Sequence, residues 1–148
     1  MTFANAEKVA AWIASLRGME GTFLYRPRQR LTSTLTGRTI ATKAFAYNRA
    51  LVAQGWAANE VSGLRVGQFL QVGSQLVRLI EAPLLADANG RVTISFEPEL
   101  RIDYAQGSAI NFVNPAGMFS LSSSDDMGYT LNPDRIPTFP TMSAKEAV

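Results

Sequence analysis

The stretch from Gly63 to Arg101, GLRVGQFLQVGSQLVRLIEAPLLADANGRVTISFEPELR, constrains the fold more than any other part of the chain. Arg91 to Glu97 alternates, with Val92, Ile94 and Phe96 on one face and Thr93, Ser95 and Glu97 on the other. A period of two with β-branched and aromatic residues on one side marks a half-buried strand. Ahead of it, Asp87-Ala88-Asn89-Gly90 supplies residues that tolerate positive φ, so the chain reverses there. Gln75–Glu81 and Gln68–Val72 read as the two preceding strands, joined by Gly73-Ser74 as a tight hairpin with glycine first. The result is a three-stranded meander that serves as a scaffold.

Before the meander, residues 4–17 read as one amphipathic helix. Val9, Trp12, Ile13 and Leu16 form its apolar stripe, with Asn5 or Thr2 as the cap and Gly18 as the left-handed stop. The stripe is expected to dock on a sheet of the same chain. Gly21–Tyr25 reads as a short strand. Residues 31–54 are the least decided part, hydroxyl-rich, with Gly37 as a turn and Arg38–Tyr47 as a strand or a long excursion. Trp56 reads as a core anchor just before the meander. Ser108–Val113 and Met118–Ser122 are further short strands. The prolines at 133, 137 and 140 make the tail from 132 extended, with Ser143–Val148 a last strand or a loose end.

With one helix and six to eight short strands, the chain is expected to be mainly β. The predicted architecture is a sandwich or small barrel of antiparallel strands carrying one N-terminal helix. Its 148 residues and lack of an internal repeat predict a single domain. Trp12, Leu16, Trp56, Phe69, Ile94 and Phe96 are the expected structural anchors.

Chemistry is narrowed by what is missing. The chain holds no Cys and no His, which excludes disulfides, thiolate nucleophiles, imidazole bases and Cys/His zinc sites. Asp125-Asp126 is the one adjacent acidic pair and reads as a turn, since neighbours in a strand face opposite sides. Asp87 to Gly90 lacks the later ligands of a calcium loop. Ser122, Ser123 and Ser124 have no histidine to activate them, and the glycines of GLRVG and QVG are not phosphate loops. No enzyme activity, cofactor or metal is expected, and no apolar run is long enough to cross a membrane, so a soluble product is expected.

The net charge of +2 argues for no strongly anionic partner overall, and the sequence pI of about 9.2 reflects the absence of histidine. Basic residues are nevertheless concentrated, because no acidic residue occurs from Gly21 to Ala58. Arg26, Arg28 and Arg30 alternate in an extended segment, and Arg38, Lys43 and Arg49 follow. These six are the candidate contacts with a neighbouring subunit or with DNA.

Several landmarks taken in order resemble tail-tip proteins of long-tailed bacteriophages, of the distal tail protein kind. They are Trp12 with Leu16-Arg17-Gly18 and Gly21-Thr22-Phe23, then Gly55-Trp56, Leu64-Arg65-Val66-Gly67 and Gln71-Val72-Gly73. Asp87 to Gly90, Pro98 to Arg101 and Phe119 to Asp125 complete the series. One departure is Gln68, which stands where such proteins carry aspartate. The extra strands that longer relatives place before the helix are also not apparent. Such a gap leaves a sheet edge for a neighbouring subunit to cover.

The resemblance implies a structural protein of the virion tail tip, assembled in the bacterial host cytoplasm. It implies a homo-oligomeric ring, a hexamer, joining the tail tube protein to the hub and tail-fibre proteins, with DNA in its lumen and no membrane partner. The alternative is a small β-barrel binding module for nucleic acid or glycan, with the arginines beside Phe23 and Tyr25 as its platform.

Overall fold

The protein is described here as a computed structural model covering residues 3–17, 19–29, 33–122, 130–131, 137–138 and 141–147. The chain divides into a larger compact unit, Tyr25–Gly117, and a smaller one formed by Met1–Leu24 with Met118–Ala147. The mainly β architecture with one N-terminal helix is observed.

The larger unit is a closed antiparallel barrel. Its six strands are β2 (Arg38–Ile40), β3 (Ala50–Gln54), β4 (Phe69–Val72), β5 (Gln75–Glu81), β6 (Arg91–Glu97) and β7 (Ala109–Asn111). Around the barrel they run β2-β3-β6-β5-β4-β7 and back to β2. The expected meander is the β4-β5-β6 arc. Val92, Ile94 and Phe96 are buried, while Arg91 and Thr93 are exposed, so the alternation in β6 sorts core from surface. Gly73 takes φ 58° between Val72 and its partner Gln75, with no positive φ at Ser74. That is the pattern of a hairpin turn with glycine first. The turn before β6 is held by Asp87, whose Oδ1 accepts from the amides of Asn89 and Arg91, each at 2.8 Å. Asp87 is thereby a turn residue.

Of the two alternatives for Arg38–Tyr47, the strand holds at its start, Arg38–Ile40, and a second barrel strand, Ala50–Gln54, follows where the sequence reading placed none. Leu51 and Ala53 point inward on β3, which pairs with β6 over five residues from Ala50↔Ser95 to Gln54↔Arg91. Ile40 of β2 is fully buried and pairs with Ala53. The connecting loop is itself fastened, through the Ala44↔Tyr104 bridge and a hydrogen bond that the Tyr47 amide donates to the Leu100 carbonyl at 2.6 Å.

Inside the barrel, Ile40, Leu70, Val72, Val77, Leu79, Ile94, Phe96 and Ile110 form one cluster with Leu100 and Phe112. Trp56 joins it as expected, buried, with its indole N–H donating to the Ser62 carbonyl at 3.0 Å. A polar side chain, Gln75, is enclosed with them. Gln75 is fully buried, donating to the Glu99 carbonyl at 2.7 Å and accepting from the Arg101 amide at 3.0 Å. Both its polar groups are satisfied, which makes its burial tolerable.

The smaller unit holds α1 (Phe3–Ser15) and a three-stranded sheet ordered β1-β8-β11. Its strands are β1 (Thr22–Tyr25), β8 (Gly117–Leu121) and β11 (Ala144–Glu146). Two further strands, β9 (Thr130–Leu131) and β10 (Pro137–Thr138), pair with each other. Ile13 and Leu16 pack with Leu121, against which Val9, Phe23 and Met142 also lie, so the stripe docks on a sheet of its own chain. The ends of α1 differ from expectation. Asn5 lies inside the helix, while Thr2 and Gly18 lie outside the described residues. The left-handed position falls on Arg17 at φ 50°, and the Gly21 amide returns to the Leu16 carbonyl at 2.7 Å.

Two expected anchors are not core residues. Trp12 sits at the margin of the stripe and is 41% exposed, its ring edge-on to Phe23 at 5.2 Å. Phe69 is half-buried on the outer side of β4, because Leu70 and Val72 take the inward positions and the period of two leaves Phe69 outside.

Phe96→Ala is expected to cost about 3–5 kcal/mol by chemical denaturation, since it empties a fully enclosed site. Gly90→Ala is expected to cost more than about 1 kcal/mol, because Gly90 has φ 68° and an added Cβ runs into the Trp56 carbonyl.

Candidate functional site

Of the six basic residues singled out by spacing, the five that are described do not converge. Arg26 and Arg28 lie exposed in the segment after β1, and Arg30 lies outside the described residues. Arg38 stacks its guanidinium over the Trp56 ring at 4.6 Å and donates to the Thr36 carbonyl at 3.0 Å. Lys43 pairs with Asp103 at 2.8 Å and lies over Phe45. Arg49 reaches Glu97 at 3.0 Å and Glu99 at 3.1 Å. Arg38, Lys43 and Arg49 therefore serve local structure.

The electrostatics of these exposed pairs follow from their partners. The hydrogen bond to Glu99 holds the Arg49 guanidinium above its ordinary range, with Glu97 adding to it. The Asp103 carboxyl is held below its usual range, first by the Lys43 hydrogen bond and then by the amide of Ala46, which donates at 2.9 Å.

A basic cleft does form, but with different companions. Arg28, Gln29, Arg65, Val66, Gly67, Gln68, Phe69 and Arg78 line about 320 Å³ on the larger unit. Three elements build it. Gln29 accepts from the Phe69 amide at 3.1 Å, drawing the segment after β1 onto β4. The Gly67 amide donates to the Leu79 carbonyl at 2.7 Å, which sets the turn before β4 against β5. Arg78 projects outward from β5, donates from Nε to the Gly67 carbonyl at 3.1 Å and lies over Phe69 at 5.5 Å. Gly67 takes φ 84°.

Gln68 is the unusual member. It is buried, its Oε1 accepts from the Arg65 amide at 3.2 Å, and its Nε2 has no hydrogen-bond partner. Among the described residues, no acidic residue lines the cleft. Of the described basic candidates Arg28 lines it, together with Phe69, an expected anchor. Arg65 and Arg78 lie far along the chain from Arg28 and are gathered by strand pairing. The available clue is that Arg78 is the one charge in the middle of an otherwise apolar strand.

Among the exposed apolar residues, two groups hold neighbouring side chains. On β1, Leu24 and Tyr25 are about half exposed, and the strand is terminal in its sheet among the described residues. On the larger unit, the Val61↔Leu85 bridge brings exposed Val61 and Leu85 together next to Leu84, which is 75% exposed.

Among the described residues, no group of three or more His, Cys, Asp or Glu side chains is placed to hold a metal ion. Asp125, Asp126, Ser123 and Ser124 lie outside the described residues. No helix among the described residues is long and apolar enough to cross a membrane.

Compared with known proteins, the chain matches no family model and no curated protein.

A carboxyl titration followed by NMR is expected to show Asp103 ionising below the ordinary aspartate range and moving up in Lys43→Met. Because its folded value is depressed, any stability it lends is present above the unfolded value and is lost as pH falls through the folded one.

Proposed function

We propose that this chain is a structural subunit of a bacteriophage tail tip, closing with copies of itself into a ring that joins the tail tube to the hub. The reading rests on the ordered landmarks that resemble distal tail proteins. The observation that carries it furthest is the edge strand β1. Its sequence TFLY presents exposed Leu24 and Tyr25 at the end of a three-stranded sheet. An apolar strand edge is a template for pairing with another chain, and proteins that keep one uncovered risk aggregation.

A ring requires two different complementary patches on each subunit. The β1 edge supplies one apolar surface, and Val61 with Leu84 and Leu85 supplies another. Low overall charge, 18% of residues, fits surfaces that become buried, since interface centres are depleted in charge. On this reading the chain works in the virion, after assembly in the host cytoplasm, with no chemistry of its own. The tube and hub proteins would meet opposite faces of the ring.

The second reading is a barrel module for nucleic acid or glycan, with the arginines beside Phe23 and Tyr25 as its platform; Arg26 and Arg28 are exposed, and Arg30 lies outside the described residues.

Mass measurement on purified protein at high concentration is expected to show a closed oligomer, a hexamer at roughly 97 kDa against 16.1 kDa for one chain. Leu24→Lys should leave a folded barrel but reduce the species to single chains, because a charge is tolerated at the exposed position and not in a buried interface. A wild-type chain that stays single at every concentration contradicts the proposal.

A further inference from the structure

We infer that the cleft between Tyr47 and the Glu97–Arg101 segment is a binding site for a neutral sugar ring. It encloses about 460 Å³, with Tyr47 and Arg49 on one side and Glu97, Pro98, Glu99 and Arg101 on the other. A sugar needs two things together, an apolar surface for its C–H face and hydrogen-bonding groups for its hydroxyls. This cleft carries both.

Tyr47 supplies the apolar surface. Its side chain is 78% exposed, and its backbone sits at φ 67°, a left-handed conformation that a bulky residue rarely adopts. Two hydrogen bonds hold it there, from the Tyr47 amide to the Leu100 carbonyl at 2.6 Å and from the Leu100 amide to the Asn48 carbonyl at 2.9 Å. Backbone strain of this kind persists where the surroundings over-determine it, and it gathers at ligand sites. Here it keeps an aromatic ring out of the core and on the lining of the cleft.

The polar side is set by Arg49. Its Nη1 donates to Oε1 of Glu97 at 3.0 Å, while Nε and Nη2 donate to Oε2 of Glu99 at 3.3 and 3.1 Å. One guanidinium thus fixes two carboxylates and occupies one oxygen of each. Among the described residues, Oε2 of Glu97 and Oε1 of Glu99 accept no hydrogen bond, and the two side chains are 45% and 41% exposed. These open acceptors beside an aromatic face suit the hydroxyls of a pyranose, which donate, with its C–H face laid on the ring. Two glutamates and two arginines in the lining cancel in charge among the described residues, which fits an uncharged ligand better than a chain of phosphates.

The frame is already assembled. The Phe96 amide donates to the Arg49 carbonyl at 2.8 Å, and Gln75 donates to the Glu99 carbonyl at 2.7 Å, so binding has little backbone to order. The inference is independent of ring formation and of the arginines beside Phe23, because every residue in it belongs to the larger unit.

The test is an NMR titration of the full chain with the methyl glycosides of glucose, galactose, N-acetylglucosamine and rhamnose. At least one is expected to give saturable shifts in the Tyr47 ring and in the backbone amides of Asn48 and Glu99. Tyr47→Phe is expected to bind within about twofold of wild type and Tyr47→Ala about tenfold more weakly, the scale of one aromatic contact. Glu99→Gln, which breaks the ion pair that sets the acceptor, is expected to weaken binding without touching the ring. Unchanged backbone spectra away from the cleft establish that the variants remain folded. A chain that binds sugar yet stays single supports the inference and counts against the ring alone. The inference is overturned if none of these glycosides shifts the Tyr47 ring, or if Tyr47→Ala binds as tightly as wild type. Loss of the oligomer in Tyr47→Ala also overturns it, by assigning the cleft to a second copy of the chain.

Discussion

Closure of the barrel between β2 and β7 is the constraint on which the larger unit depends. The seam is short, with Arg38↔Ile110 and Thr39↔Ala109 as its register. It is extended by the Ile40 amide donating to Ser108 at 2.9 Å and the Gly107 amide donating to Ile40 at 2.8 Å. Without these bonds the sheet would have two open edges, and the inward residues of six strands would lose their common enclosure. With them, every barrel strand has two neighbours, and backbone polar groups are matched around the whole circumference. On the other side of the barrel, Gln75 ties the chain leaving β6 to the start of β5 through its two hydrogen bonds.

How much of this was legible depended on strand length and on the distance between partners. Seven residues of alternation in β6 were enough to assign its two faces, and the Gly73 and Asp87 turns could be read from their own chemistry. In β2 and β7, three residues each, a period of two hardly has room to appear, so the pairing that closes the barrel left no local signal. Phe69 and Leu70 are adjacent and both apolar, so hydropathy alone could not say which one faced inward. Trp12 failed as an anchor for a related reason. A helical stripe defines a direction, while the width of the surface beneath it is set by tertiary packing.

The basic residues show the same limit. Alternation within residues 26–30 suggested a local platform, yet the cleft takes Arg28 from that segment and completes itself with Arg65 and Arg78. Strand pairing, which brings β4 and β5 together through four residue pairs, makes the site. Gln68 belongs to the same cleft as a buried neutral amide.

A division of labour follows, with a barrel that satisfies its own backbone and surfaces elsewhere that look outward. The most direct measurement is hydrogen exchange on the isolated chain and on the assembled particle. The account predicts slow exchange at Ile40, Val72, Phe96 and Ile110 in both states, and slowing of the Thr22–Tyr25 amides only on assembly. Equal protection of Thr22–Tyr25 in both states, or barrel amides that become protected only in the particle, would contradict it.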